Sequence, residues 1–176
     1  LPQSVRDAAK AKAKQKGKEG WVFDLSGPSY IAFMKYSDRR DLREKLYLAY
    51  TTKCVAGGEF DNQENVRKIA NLRLQIAQLL GYPDYATFTL RNKMAKNEKG
   101  VFNLLDNLYD AFAERAKEDV ADVQNYASKF EGKQVDLQPW DWAYYSEKLQ
   151  TEKYDLNDEM VRPYFELENV KKGVFG

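Results

Sequence analysis

The sequence of 176 residues contains no histidine and a single cysteine, Cys54. Without histidine the chain cannot form a Ser-His-Asp or Cys-His nucleophile site, a histidine general base or an HExxH zinc site. One cysteine allows neither an internal disulfide nor a cysteine-rich zinc site. A lone cysteine is most often a buried thiol, and we expect this for Cys54. The commonest catalytic groups are therefore missing from this chain.

Long hydrophobic runs are also missing. No window of 18 apolar residues occurs, so we predict no membrane-spanning helix and no membrane partner. The first residues lack the apolar stretch of a signal peptide. The chain begins at Leu1 rather than Met, which favours a piece cut from a longer protein. We expect a cytoplasmic location and leave a periplasmic or exported one open, because a cut chain carries no record of a leader.

The sequence has almost no excess of charge of either sign. Its net charge is +1 and its pI is about 7.9, so we predict no nucleic-acid partner. Residues 1–20 hold six basic and two acidic residues, whereas residues 131–176 hold six basic and ten acidic ones. No aromatic residue interleaves with the lysines of the basic end. We interpret that end as a solvated helix face rather than as a phosphate or membrane patch.

Helical periodicity is present along nearly the whole chain. Apolar residues are 43% of the sequence and aromatic residues 14%, enough for a sizeable core. The pattern predicts a mainly α fold, a multi-helix array with at most a short extended segment near 21–25. The predicted helices cover 2–16, 28–36, 39–54, 61–80, 83–95, 97–130, 140–152, a short one from Asn157 or Asp158, and a last one from about 166.

Two of these helices carry further expectations. Asp61 and Glu64 have the spacing of a capping box, and the wide apolar face that follows predicts a helix buried on more than one side. The helix over 97–130 is predicted to be about 50 Å long. Because that length exceeds a compact bundle of this size, we expect it to pack against something outside the chain.

Charged clusters are interpreted as solvated or locally paired. Acidic pairs such as Glu114/Glu118 lie on one helix face, but di-iron bundles need a Glu-x-x-His motif, which this chain cannot supply. The cluster Arg39, Arg40, Asp41, Arg43, Glu44 favours local ion pairs, for example Arg40 with Glu44, over anion binding.

An aromatic run occupies residues 140–145, Trp-Asp-Trp-Ala-Tyr-Tyr. Four aromatic side chains within six helical residues point in all directions. Packing in the core is the favoured interpretation, with Asp141 placed favourably at a helix N-terminus. The alternative is a ligand-facing role, since Trp and Tyr suit surfaces with one apolar side and one wet side.

Five runs in order resemble one family. They are Trp-x-Phe-x-Leu-x-x-Pro-Ser-Tyr at 21–30, Arg-Asp-Leu-Arg-Glu-Lys-Leu-Tyr at 40–47, Leu-Leu-Gly-Tyr at 79–82 within matches over 61–95, Trp-Asp-x-x-Tyr-Tyr-x-x-Lys-Leu at 140–149, and Arg-Pro-Tyr-Phe at 162–165. Together they resemble the zinc metallopeptidases related to thimet oligopeptidase, oligopeptidase A and peptidyl-dipeptidase. Residues 33–40 look most like the bacterial peptidyl-dipeptidase branch.

The resemblance implies a mainly helical peptidase with a deep channel for short peptides. It implies a zinc ion held by an HExxH helix that lies C-terminal to the matched region, so no residue here is predicted as catalytic or as a metal ligand. Residues 1–176 would then form one helical segment of the channel wall, inactive alone, with Trp140, Tyr144 and Tyr145 as channel-lining residues. Exposed apolar surface would allow self-association of the segment. The alternative is a stand-alone helical protein-binding module.

Overall fold

The computed structural model describes residues 1–155 and 158–176, and only the backbone of Asp158 and Glu159. Over this part of the chain there is no strand, and the mainly α prediction is confirmed. Residues 21–24 belong to no helix or strand. The helices are α1 (Gln3–Gln15), α2 (Gly27–Tyr36), α3 (Arg40–Thr51), α4 (Gln63–Leu79), α5 (Tyr85–Leu90), α6 (Glu98–Glu131), α7 (Trp142–Tyr154), α8 (Asp158–Val161) and α9 (Leu167–Phe175), with a 3₁₀ turn at Arg162–Phe165.

Two helices end earlier than predicted, and Cys54 is not buried. Helix α3 ends at Thr51 instead of 54, and α5 ends at Leu90 instead of 95. Cys54 has a φ of 64°, a left-handed conformation that cannot continue a helix, and it lies exposed in the loop before α4. The buried-thiol expectation was therefore wrong. Of the two predicted starts for α8, Asn157 lies outside the described residues and Asp158 is observed.

The expectations for α4 were wrong in two respects. Its N-cap is Asn62, and the carboxylate of Asp61 instead accepts from the backbone N–H of Gln63 at 2.9 Å and of Gly57 at 2.8 Å. The helix is not buried on several sides, because Ala77 is its only buried residue and Leu79 is 87% exposed. A wide apolar face shows what a helix can bury, not whether a neighbour covers it.

The predicted end of this helix at residue 80 is confirmed to within one residue, and Gly81 gives it a clear backbone cause. Gly81 has a φ of 81°, which glycine adopts without the steric cost of a Cβ. Its N–H donates to the carbonyl of Gln78 at 3.0 Å, and the N–H of Tyr82 donates to the carbonyl of Ala77 at 2.9 Å. This pair of bonds is a Schellman motif, which satisfies the last carbonyls of α4.

The chain divides into two compact units. Unit 1 comprises residues 1–47 and 122–176, and unit 2 comprises residues 48–121. Helices α3 and α6 each begin in one unit and end in the other. No helix of the described residues combines the length and apolar character needed to cross a membrane.

Unit 1 contains the hydrophobic core. Helix α2 packs against α7 and against α1. The core is formed by the last turns of α6, the segment after it and the start of α7; its buried members are Val123, Tyr126, Ala127, Val135, Tyr144 and Tyr145. The C-terminal part of α6 and the aromatic run of α7 thus share one core.

The contact between α1 and α2 uses the segment that joins them. The ring of Phe23 meets that of Phe33 edge to face, 4.6 Å between centroids. The ammonium of Lys12 lies 2.7 Å from the carboxylate of Asp24, and this hydrogen bond holds the pKa of Asp24 well below its usual range. The N–H of Val22 donates to the carbonyl of Ala9 at 3.1 Å.

Unit 2 has polar and aromatic contacts but little buried surface. Asp84 caps α5 by accepting from the N–H of Thr87 at 2.8 Å, and the Thr87 hydroxyl donates to Glu98 of α6 at 2.6 Å. The rings of Tyr82 and Phe88 lie 5.3 Å apart. Most of the large apolar side chains of α4 and of the first half of α6 remain exposed.

Candidate functional site

The predicted aromatic run lies at the start of α7. Trp140 precedes the helix and is half-buried, while Tyr144 and Tyr145 are buried in the core of unit 1. The rings of Tyr144 and Tyr145 meet edge to face at 5.0 Å, and Tyr145 meets Phe130 at 6.4 Å. Core packing, the favoured interpretation, therefore describes the two tyrosines. Their role in lining a substrate channel stays a prediction.

Asp141, between the two tryptophans, is the centre of a buried ion cluster. Its Oδ2 accepts from Nη2 of Arg40 at 2.6 Å and from the backbone N–H of Gln138 at 3.1 Å. Its Oδ1 accepts from Nη2 of Arg43 at 2.8 Å. The side chains of Asp141 and Arg43 are 0% and 1% exposed. The cluster joins the start of α3 to the start of α7, about one hundred residues further along the chain.

The pKa of the Asp141 carboxyl reflects a balance between two opposing effects. Burial raises the pKa, because it removes water from the carboxylate, but the hydrogen bonds from Arg40 and Arg43 lower it more, so the pKa lies below its ordinary value. The carboxylate is therefore ionised at neutral pH. Removing one partner from such a buried pair costs about 3–5 kcal/mol, because the remaining charge has no water to replace it.

Each of the three guanidinium nitrogens of Arg43 donates a hydrogen bond within the protein. Its Nη1 donates to the carbonyl of Ser37 at 2.6 Å, and its Nε donates to the carbonyl of Trp140 at 3.2 Å. Its Cζ also lies over the ring of Tyr144, 4.1 Å from the ring centre, a cation–π contact. These contacts favour a positioning role for Arg43 and leave little of it for an external anion.

The cluster at 39–44 pairs differently from the prediction. Arg40 was expected to pair with Glu44, but its hydrogen bonds go to Asp141 and to the carbonyl of Asp136 at 2.9 Å. Arg39 makes the local pair, with Asp41 at 2.7 Å. The prediction that this cluster forms ion pairs rather than an anion-binding site describes the observed contacts. Sequence spacing reveals only local partners, so a partner one hundred residues away could not be found.

The hydroxyls of the two buried tyrosines donate to carboxylates. Tyr144 donates to Asp38 at 2.8 Å and Tyr145 donates to Glu131 at 2.9 Å. Burial, followed by the bond to Glu131, raises the pKa of Tyr145 to about 12. Burial and the bond to Asp38 raise the pKa of Tyr144 as well. Both phenols therefore stay protonated at neutral pH and act as donors that position the helices.

A second buried carboxylate was missed by the sequence analysis. Glu147 on α7 pairs with the ammonium of Lys35 at 2.9 Å and accepts from the hydroxyl of Tyr36 at 3.2 Å. Both partners are on α2, so the pair reinforces the packing of α2 against α7. The only signal in the sequence was an acidic residue three positions after a core tyrosine.

Three cavities border the aromatic run and its partners. Trp140 lines one of about 380 Å³ together with Arg40 and Asp136, and Tyr145 lines another of about 210 Å³. A third, of about 610 Å³, lies between α2, α6 and α7 and is lined by Tyr36, Glu147 and other residues. The indole N–H of Trp140 is buried and has no hydrogen-bond partner in the described part of the chain.

The described residues of this chain do not fit a zinc site. Within the described ranges, no three or more His, Cys, Asp and Glu side chains come together as metal ligands. The acidic pairs of α6 behave as a solvated face, as predicted, because Glu114 pairs with Lys117 at 2.7 Å, and Glu118 and Asp119 pair with Arg115 at 3.1 and 2.9 Å.

Comparison with known proteins agrees with the resemblance seen in the motifs. Residues 33–176 match the description of peptidase family M3. The chain is 37% identical to oligopeptidase A of Haemophilus influenzae, over 99% of this chain and 26% of that protein. It is 38% identical to oligopeptidase A of Escherichia coli, over the same shares. It is 33% identical to dipeptidyl carboxypeptidase of Escherichia coli, over 98% of this chain and 25% of that protein.

These comparisons show the family of the chain and the share of each relative's length that it covers. The chain spans about a quarter of the length of the curated relatives that it matches. Among these three, identity is higher to the two oligopeptidases than to the dipeptidyl carboxypeptidase, although residues 33–40 looked most like the peptidyl-dipeptidase branch. The family match covers most of the chain. The chain therefore belongs to peptidase family M3.

Proposed function

We propose that this chain is a helical section of a zinc-dependent peptidase that hydrolyses short peptides, and that it supplies wall structure rather than metal ligands. The family match over residues 33–176, in a sequence without histidine, carries this proposal. A zinc site of the HExxH kind needs two histidines on one helix, so its ligands belong to another part of the polypeptide. In that polypeptide zinc would activate the attacking water, and this section would hold neighbouring helices in place.

The ion cluster supports a scaffolding role for unit 1. The Asp141 and Glu147 carboxylates are satisfied by residues of α2 and α3, so α7 is fixed at two points by charge-assisted hydrogen bonds. Within the proposed lining set of Trp140, Tyr144 and Tyr145, Trp140 borders a cavity, and its buried indole N–H has no partner among the described residues. The two buried tyrosines would form the supporting part of the same wall.

The names of the relatives bear on substrate and location. They are called oligopeptidases and dipeptidyl carboxypeptidases, which favours short peptides as the substrates of the whole protein, with no nucleic acid or membrane as partner. We propose a cytoplasmic location. A relative from Arabidopsis thaliana that is 38% identical is named a probable cytosolic oligopeptidase A, and one that is 36% identical is named chloroplastic/mitochondrial.

Activity and metal content of two proteins test this proposal. One is the 176-residue chain, and the other is the longer product of the coding sequence that contains it. Both are assayed on an internally quenched peptide, with zinc measured by elemental analysis. We expect chelator-sensitive cleavage and one zinc per molecule in the longer protein, and neither in the chain alone. Stoichiometric zinc and cleavage by the chain alone would contradict the proposal.

The second candidate is a stand-alone helical protein-binding module, favoured by the exposed aromatic residues of α6. The coding sequence discriminates between the two. A downstream HExxH motif in the same reading frame supports the peptidase section. A frame that holds these residues alone supports the binding module.

A further inference from the structure

The first four turns of α6 carry an apolar face that the described part of the chain leaves uncovered. Its members lie between residues 102 and 112, and each keeps 46% to 69% of its surface exposed: Phe102, Leu104, Leu105, Leu108, Tyr109 and Phe112. We call this set the α6 face. Six large exposed apolar residues within eleven positions exceed the scattered exposure of an ordinary soluble surface.

The spacing of these residues places them on one side of the helix. At 100° per residue the six side chains fall within an arc of about 160°. The opposite side of the same turns holds Asn103, Asp106, Asn107 and Asp110. The stretch is therefore amphipathic, with a polar side suited to water and an apolar side suited to a partner.

The next turns of α6 have a different character. Glu114, Arg115, Lys117, Glu118 and Asp119 form exposed ion pairs at spacings of three and four residues. Such pairs are typical of a helix face that stays in water. The boundary near residue 113 thus separates a part of α6 built for burial from a part built for solvent.

We propose that the α6 face docks against the part of the peptidase polypeptide that these 176 residues do not include, through an apolar surface free of charge. This rests on the proposed function. The chain spans about a quarter of the length of its relatives, so most of the polypeptide is available to cover the face. None of its six members is charged, so the occupant must be apolar as well. A second copy of the chain is the competing occupant.

Side-chain footprinting with hydroxyl radicals tests the proposal directly. The oxidation rates of Phe102, Tyr109 and Phe112 are compared between the 176-residue chain and the longer peptidase, with Tyr154, exposed in unit 1, as an internal reference. We expect the three rates, relative to that of Tyr154, to fall several-fold in the longer protein. Rates that stay equal in a zinc-binding, active peptidase overturn the docking proposal and leave the proposed function standing.

Two variants test whether docking of the α6 face stabilises the longer protein. Leu105→Asp/Phe112→Asp in the longer protein is expected to lower its melting temperature and its soluble yield. In the 176-residue chain the same change should leave the melting temperature unchanged and reduce self-association. Val120→Asp, an apolar-to-acid change on the half-exposed part of α6 beyond the boundary, is the control and should be tolerated in both proteins.

The remaining outcomes are also decisive. A longer protein without zinc or peptidase activity overturns the proposed function, and the docking proposal with it. Protection of the α6 face that appears only at concentrations where sedimentation shows dimers assigns the face to a second copy and overturns the docking proposal. The footprinting comparison uses the unmodified sequence, so it stays informative if a variant fails to fold.

Discussion

The two units of this chain have similar helical patterns but differ in what those patterns bury. Unit 1 encloses a core that includes Val123, Ala127 and Tyr145. In unit 2, residues 48–121, Ala77 alone is buried, although α4 and α6 there carry many large apolar residues. Hydrophobic periodicity indicates which side of a helix is suited to burial. Whether that side is buried depends on a neighbour, and unit 2 contains too few.

Helix α6 shows the same contrast within one element. Its last turns contribute Val123, Tyr126 and Ala127 to the core, while the α6 face near its beginning is exposed. Burying a large apolar side chain stabilises by roughly 1.5–3 kcal/mol. The core turns therefore contribute to the stability of the isolated chain, and the exposed turns contribute little until a partner covers them.

The largest expected difference in stability comes from one substitution made at two positions of α6, one buried and one exposed. Ala127→Asp places a carboxylate where Ala127 is fully buried, with no room and no water, and we expect it to unfold unit 1. Ala111→Asp makes the same change at an exposed position, where surface substitutions usually stay within about 0.5 kcal/mol. Urea unfolding followed by circular dichroism measures both. Equal losses of stability would show that these two positions of α6 do not differ in burial.

A smaller difference in the free energy of unfolding is expected when one carboxylate is neutralised in each unit. Asp141→Asn removes the charge that faces buried Arg43, and we expect a loss of about 3–5 kcal/mol. Asp119→Asn removes a partner of Arg115 from the exposed surface of α6, where such pairs contribute about 0.3–0.5 kcal/mol. The free energies of unfolding in urea give the comparison. A loss below about 1 kcal/mol for Asp141→Asn would mean that water reaches Arg43 and the cluster is not dry.

Local structure was largely predictable from the sequence, because its causes lie within a few residues. Gly81 stops α4 through its own backbone. Asn97, the first residue of the helix predicted over 97–130, caps α6 by accepting from the N–H of Gly100 at 2.9 Å. The predicted capping box at Asp61 and the predicted burial of Cys54 were wrong. Each depends on loop geometry that spacing does not encode, such as the bond from Gly57 to Asp61.

For long-range contacts, the sequence indicated which residues would form ion pairs but not which residues would pair with each other. The arginine cluster at 39–43 and the acid at Asp141 were both noticed, but nothing in the sequence joined them across one hundred residues. The burial of α4 was predicted wrongly for the related reason that a pattern cannot show its partner. Family resemblance supplied what spacing could not, since it identified the family to which the chain belongs.

The smallest expected difference in stability is between two variants that each lose one tyrosine hydroxyl. Tyr145→Phe removes the buried hydroxyl that donates to Glu131, and we expect a loss of about 0.5–1.5 kcal/mol at pH 7. Tyr109→Phe removes an exposed hydroxyl from the α6 face and should leave stability unchanged. Thermal unfolding at pH 7 separates the two variants.

The loss of stability at alkaline pH gives a second test of this comparison. The folded-state pKa of Tyr145, about 12, lies above the value of about 10 of an unfolded chain, so folding favours the protonated phenol. The corresponding stability is complete below pH 10 and is lost as the pH rises towards 12. Tyr145→Phe should therefore lose less stability than the unsubstituted chain between pH 10 and 12. Part of the loss should remain, because burial also raises the pKa of Tyr144. An unchanged alkaline slope in Tyr145→Phe, equal to that of Tyr109→Phe, would show that the phenol of Tyr145 reaches water.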